Sequence, residues 1–314
     1  MQSSYFRVDV DAVSYAHIVA IISYECPFGK IIMYSQLKIL AMSNSTNSIL
    51  VPIDDTEQTV IALNQSYSFA RSTDSKIVLL SVEEEASSIS VQRKLAELAK
   101  EAAAKSGQPV EIMIRKGNVY EQIHKVADVL NPLVLIGLTS KLSIGNSLSK
   151  NPFKLVRESK NPVMTIRGRQ NRSDYKTILL PLDLTKESRE KVDKGIELAR
   201  RFNSTVRVIS VLTQSDEEAE NKLIAYSNQV WRYLRSHNIR STVRTIRGSN
   251  PAQLILEYAN QIDADIILLT SKTAVNVKEF FTGTVAEQII NKSEIPVLTY
   301  HPIERKDTSV FVPY

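Results

Sequence analysis

The segment that most constrains this chain is written twice. Residues 49–57 read ILVPIDDTE and residues 178–188 read ILLPLDLTKES. Each is an apolar run that breaks at a proline, then presents an acid with a threonine close behind. Around both copies the same order of strand-like and helix-like periods unrolls, so the chain duplicates one α/β unit and is not a solenoid of short repeats. In the first copy the apolar runs predict strands at 48–53, 76–82, 109–115, 133–137 and 162–166; in the second, at 176–182, 205–212, 240–246, 265–270 and 295–300. The run KIVLLSV at 76–82 shows no alternation, as expected of a parallel strand covered on both faces.

The intervening segments carry helical spacing. Residues 56–71 read as the first helix. Val91, Leu95, Leu98 and Ala102 line one face of the next, which stops at Gly107, a residue suited to the left-handed turn after a helix. Val119, Ile123, Val126 and Leu130 line a third, and Leu223, Tyr226, Val230 and Leu234 form the core stripe of a helix in the second copy. Ser215 with Glu218 makes a capping box, and Asn250-Pro251 sets an N-cap before a proline at the first helical position. Gly117-Asn118 and Gly248-Ser249 hold matching places after the third strand of each copy. Alternation of this kind demands right-handed crossovers and a mostly parallel sheet. The expected fold is therefore α/β and Rossmann-like, with two tandem five-stranded, mostly parallel sheets flanked by helices. The first domain is expected at 48–167, a polar linker at 168–175, the second domain at 176–300 and a tail at 301–314.

Residues 1–41 match neither copy. MSNSTNSILVPID, from Met42, reads as a natural beginning for this fold, so a translation start at Met42 is expected; the alternative is an appendage that covers a sheet edge. AHIVAIISY at 16–24 has the apolarity of a signal-peptide core, but Asp9 and Asp11 precede it where positive charge belongs, and no small-residue cleavage site follows. No run approaches the roughly 20 apolar residues that span a bilayer. In the tail, Phe311, Val312 and Tyr314 are apolar enough to dock on a neighbouring surface.

Composition narrows the chemistry. A net charge of +5 is too diffuse to argue for nucleic acid. The single cysteine, Cys26, excludes an internal disulfide or a thiolate metal cluster and fits a reducing cytoplasm. The 4 histidines, His17, His124, His237 and His301, show no ligand spacing, so no metal is expected. No Ser/His/Asp, Cys/His or paired-carboxylate arrangement stands out, and an enzyme is not expected.

In doubly wound sheets ligands lie beyond the carboxyl ends of the strands, where strand order reverses. That directs attention to the residues after strands one and four of each copy. Neither copy has a GxxxxGK[ST] phosphate loop, a GxGxxG fingerprint or an SGGxDS-type pyrophosphatase loop. What the copies do show is the ILVPxD opening, a glycine after the third strand, and a closing GTVAE followed by IPV. This combination resembles the universal stress protein family, over residues 48–167 and 176–300, as a tandem member. The resemblance implies a five-stranded α/β sheet paired through its last strand. It also implies, for some members, ATP held by a pattern G-x2-G-x9-G-[ST]. In the second copy Thr270 and Thr273 stand where the first two glycines belong, and Gly283-Thr284 closes the pattern. In the first, Gly137 and Ser140 hold the first two places and the closing pair falls near Lys150-Asn151.

The resemblance thus implies a nucleotide site in the second copy at Pro181, Leu182, Asp183, Val211, Thr270, Thr273, Gly283, Thr284 and Val285, and a degenerate one in the first at Asp54, Val82, Gly137 and Ser140. A Cβ in place of glycine obstructs the close approach of backbone to phosphate. Gly283-Thr284 still offers N–H groups and a hydroxyl at a helix start. Pro152 removes a donor in the first copy and Asp55 adds negative charge beside Asp54, with Lys150 as partial compensation. Asp54 and Asp183 either accept hydrogen bonds from a ribose or adenine or cap the helix that follows. Arg115, Lys116 and Arg247 either draw phosphate or form solvated strand ends, and Trp231 is either buried or presented to a partner. The expected function is a non-catalytic stress-response or regulatory protein with degenerate nucleotide sites. The alternative is an ATP-binding regulator, with Mg²⁺ and the nucleotide in the second domain; weak ATPase activity stays open. The expected partners are an intrachain pseudo-dimer meeting at 162–166 and 295–300, or a homodimer, and a protein of unknown identity, with neither nucleic acid nor membrane.

Overall fold

A computed structural model describes residues 22–26, 29–33, 47–54, 57–83, 89–138, 152–167, 172, 174–184, 187–213, 217–270 and 283–301. The chain divides into two compact units, residues 1–150 and 151–314.

The first unit opens with an antiparallel hairpin of β1 (Ile22–Cys26) and β2 (Gly29–Met33), closing at Cys26 opposite Gly29. The duplicated fold then begins with β3 (Ser48–Ile53), α1 (Glu57–Thr73), β4 (Lys76–Glu83), α2 (Ile89–Ser106), β5 (Val110–Lys116), α3 (Val119–Leu130) and β6 (Val134–Leu138). The strands are parallel in the order β6-β3-β4-β5, with Leu50 opposite both Val78 and Leu135. Ile49, Leu50, Ile77, Leu79 and Leu80 are fully buried, which is why these strands read as continuous apolar runs. β2 comes into contact with β5, the edge strand of this sheet.

The second unit contains α4 (Pro152–Glu158), β7 (Val163–Ile166), β8 (Thr177–Leu182), α5 (Glu187–Phe202), β9 (Thr205–Leu212), α6 (Glu217–Ser236), β10 (Ser241–Arg247), α7 (Pro251–Gln261), β11 (Ile266–Thr270), α8 (Gly283–Lys292) and β12 (Val297–Tyr300). Its strands run in the order β10-β9-β8-β11-β12-β7. All are parallel except β7, which pairs antiparallel with β12 through Leu298 opposite Met164.

This division differs from the expected one. The strand at 162–166, written as the fifth of the first copy, lies in the second unit, so among the described residues β3 to β6 of the repeat fall in the first unit, beside the β1–β2 hairpin, and β7 to β12 fall in the second. The physical reason is the outer side of β12, whose backbone donors and acceptors need partners and find them in β7. The polar stretch at 168–175 is not wholly a linker either. Tyr175 is fully buried, its ring edge-on to Phe202 at 4.7 Å. Arg172 donates to Asp263 Oδ1 at 2.7 Å and to the Ala264 carbonyl at 2.9 Å.

Local signals read from the sequence act as expected where the structure describes them. Gly107 follows α2 with φ +67. Asn118 and Asn250 cap α3 and α7 by accepting from the Glu121 and Gln253 amides, each at 3.2 Å. The capping box at Ser215 lies outside the described residues. On α6, Leu223, Val230 and Leu234 are buried, but the fourth core position belongs to Ser227, and Tyr226 is only half-buried. The duplication extends to the backbone after the first helix of each copy, where Asp74 (φ 47) and Asn203 (φ 51) are both left-handed.

The paired glycines after β5 and β10 are constrained differently. Gly117 has φ +126 and donates its N–H to the Glu83 carbonyl at 3.0 Å. Substitution by alanine forces an L-residue into that conformation and is expected to cost about 1–3 kcal/mol in urea unfolding. At Gly248 an added Cβ meets Leu254 Cδ1 at 2.5 Å. Because that methyl ends a flexible side chain, Gly248→Ala is expected to cost less than Gly117→Ala in the same measurement.

Candidate functional site

In each unit the chain runs outward through three strands and then returns to the other side of the first. In the second unit it passes β8, β9 and β10 before crossing back to β11, so strand order reverses between β8 and β11. The crevice beyond their carboxyl ends is where a ligand of such a sheet sits. β8 ends at Leu182, opposite Ser210, which makes Asp183 the first residue past the strand. Asp183 is only 8% exposed. Its amide donates to Ser188 Oγ at 3.1 Å, and Ser188 is itself fully buried in the first turn of α5.

Pro181 and Leu182 are buried in the strand behind Asp183. Val211 lies one residue from the end of β9, and Thr270, partly exposed, ends β11. α8 opens at Gly283-Thr284, and Val285 is half-buried. A helix joining two parallel strands runs against them, so the amino end of α8 comes to the carboxyl edge of the sheet, where its unpaired N–H groups favour an anion. The structure therefore brings Pro181, Leu182, Asp183, Val211, Thr270, Gly283, Thr284 and Val285 to one edge. Thr273 lies outside the described residues.

The first unit repeats this edge with different chemistry. Asp54 follows β3, and Thr59 stands to it as Ser188 stands to Asp183. The Asp54 amide donates to Thr59 Oγ1 at 3.0 Å, while the Thr59 hydroxyl lies 2.8 Å from the Asp54 carbonyl and 2.9 Å from Oδ1. In both units the aspartate is thus tied to the following helix by a hydroxyl, which sets its position. Val82 is half-buried near the end of β4, and Gly137 is a buried residue inside β6. Ser140, Asp55, Lys150 and Asn151 lie outside the described residues.

Two charged residues at these edges were not singled out from the sequence. Glu83 ends β4 and accepts from Ser81 Oγ at 2.6 Å, where β9 ends instead in Leu212. In α5, Lys191 is 5% exposed; aligning the copies on their Pro-x-Asp segments places Ala62, fully buried in α1, at the same position. Burial lowers the Lys191 pKa, and the Asp183 carboxylate acts in the opposite sense. That alignment was the available signal for Lys191, since within its own helix it reads as one more surface charge.

The basic strand ends have local partners. Arg247 forms an ion pair with Glu220, and Arg115 donates to the Ile114 carbonyl at 3.3 Å. Trp231 is half-buried and carries the Arg235 guanidinium 4.8 Å from its ring centre. Among the described residues no group of histidine, cysteine, aspartate or glutamate side chains could hold a metal ion, and no helix is long and apolar enough to cross a membrane.

This is a doubly wound α/β domain whose candidate ligand edge is formed by the first strand, the fourth strand and the last helix. The model of the universal stress protein family matches residues 174–301. Among curated proteins, the stress response protein NhaX of Bacillus subtilis is 43% identical over 53 residues, 17% of this chain and 32% of that protein. A universal stress protein of Methanocaldococcus jannaschii is 25% identical over 138 residues, 40% of this chain and 81% of that one. Among solved structures, a universal stress protein from Archaeoglobus fulgidus superposes with TM-score 0.65 at 19% identity, covering 82% of this chain and 97% of its own. The family match therefore lies in the second half of the chain, residues 174–301.

Proposed function

We propose that this chain is a non-catalytic regulatory protein of the stress response that binds one nucleotide, ATP with Mg²⁺, at the second-unit edge, and that the first-unit site is degenerate. The observation that supports this is the charge difference between equivalent edges. The first has Glu83 and Ala62 where the second has Leu212 and Lys191. An added carboxylate repels a polyphosphate, and a buried cation attracts one. Duplication within one chain would supply both halves of a pseudo-dimer that single-domain relatives form by association.

Titration calorimetry of the full chain with ATP and Mg²⁺ tests the reading. One site is expected. Asp183→Asn should weaken binding by about tenfold, the scale of a hydrogen bond to a charged group. Asp54→Asn should leave binding unchanged. Two equivalent sites, or equal losses in the two variants, would show that the first edge is as competent as the second.

A further inference from the structure

β10 is the outermost strand of its sheet, and among the described residues no strand lies on its outer side. The backbone donors and acceptors on that side are open to another chain. The first unit treats its equivalent strand differently, because β2 of the hairpin comes into contact with β5. The side chains differ in the same sense. With the copies aligned on their Pro-x-Asp segments and on Gly117 and Gly248, Val78 and Met113 are buried where Arg207 and Arg244 stand. The first edge is apolar here and has its own chain against it, while the second carries charge.

That charge is not cancelled. Residues 221–256 contain no aspartate or glutamate, but they hold Lys222, Arg232, Arg235, Arg240, Arg244 and Arg247. Lys222 and Arg247 pair with Glu218 and Glu220. The others that frame β10 rest on neutral groups. The Arg235 guanidinium lies over the Trp231 ring, and Arg240 donates to the Asn203 carbonyl at 3.0 Å. Arg244 lies 5.0 Å from the centre of the Tyr258 ring and donates to Gln261 Oε1 at 3.2 Å. Arg207 donates to Thr242 Oγ1 at 3.0 Å, and its Nε is buried with no partner among the described residues. Each guanidinium is thus held in place with its charge unneutralised, which spares a ligand the cost of ordering it.

Thr242 and Arg244 share one face of β10, and Arg207 of β9 stands opposite Thr242 on that face. A strand laid along β10 sets alternate side chains beside Thr242 and Arg244. Opposite charges stabilise such cross-strand pairs and like charges destabilise them. An acidic strand is therefore admitted, whereas β10 of a second copy, with the same arginines, is repelled. Nucleic acid fits less well, since base stacking needs open aromatic faces; Tyr258 is buried and Trp231 is half-buried beneath Arg235.

We propose that the outer edge of β10 is a docking site for an acidic, extended segment of a partner protein, which adds as a strand and pairs its carboxylates with Arg240 and Arg244. The proposal gives a protein partner its surface and does not depend on the nucleotide reading.

The test uses the full chain and two capped peptides of about eight residues, one alternating Glu with Thr and one alternating Lys with Thr. By fluorescence anisotropy the acidic peptide should bind at least about tenfold tighter than the basic one. Its binding should add hydrogen-exchange protection in residues 241–247. Arg240→Gln combined with Arg244→Gln should weaken the acidic peptide by about tenfold, the combined scale of two exposed ion pairs. Arg240→Lys with Arg244→Lys should keep most of the binding, because the charge remains. If urea unfolding shows that the glutamine variant does not fold, raising salt from about 0.05 M to about 0.5 M on the unaltered protein should give a loss of similar size. Failure of either peptide to bind, equal binding of both, binding without protection of β10, or binding insensitive to charge removal and salt overturns the proposal. Displacement of the acidic peptide by an equal concentration of oligothymidylate of about twelve nucleotides also overturns it, since the face then takes nucleic acid.

Discussion

Tyr175→Ala is expected to destabilise the second unit by about 3–5 kcal/mol, the usual cost of truncating a fully buried aromatic side chain. The ring is completely enclosed and packs edge-on against Phe202 at 4.7 Å. The phenol hydroxyl lies 3.8 Å from Met164 Sδ, and Ser204 donates its hydroxyl to the Tyr175 carbonyl. Burial and the nearby Asp265 push the phenol pKa up, so the hydroxyl stays protonated across the accessible range. The backbone at Tyr175 has φ +49, a conformation that alanine does not relieve. Tyr175→Phe removes only the weak contact to sulfur and is expected to cost less than about 1 kcal/mol. Urea unfolding followed by hydrogen exchange in β8, which starts two residues later, measures both. A loss below about 1 kcal/mol for the alanine variant would mean that the ring is not a core element.

Tyr175 also shows what sequence reading can reach. RGRQNRSDY looks like a connector because charge surrounds its one aromatic residue, and no period identifies a single anchor. The strands were legible for the opposite reason. ILVPI, IVLL, ILLPL and IILL are apolar throughout, as in strands covered on both faces. Asn118, Asn250 and Gly107 were legible because a cap is a local device that needs no knowledge of the rest of the fold. The partner of β7 was legible in part. Its type follows from PVMTI, but the unit that holds it depends on which edge is open, and pairing over such sequence separation leaves no local trace. At the site, Asp183 could be found from the repeat, whereas Lys191 could not be found from the pattern of α5. ESREKVDKGIELARRF is so rich in charge that one inward lysine is invisible without the first copy beside it.

Met164→Asp is expected to cost about 4 kcal/mol or more, because it places a carboxylate in a fully enclosed strand with no cation opposite. Met164 is completely buried, sits across from Leu298 of β12 and carries the Tyr175 hydroxyl on its sulfur. Val163, Thr165 and Ile166 are buried as well, so β7 has no solvent-facing side on which the charge can turn outward. Neutralising the new acid by protonation recovers only part of the loss, since the cavity left by the thioether remains. Hydrogen exchange read peptide by peptide shows where the cost falls. Protection should fall in β7, β12 and β11, the strands joined by the altered ladder, while β3, β4 and β5 keep theirs. The reverse pattern, with β3 to β5 exposed and β11 and β12 protected, would place the strand energetically with the copy in which it is written. The expected outcome makes β7 a strand of the second unit. The last strand encoded by the first copy pairs with β12, and the stability of the second unit then depends on residues that precede its own repeat.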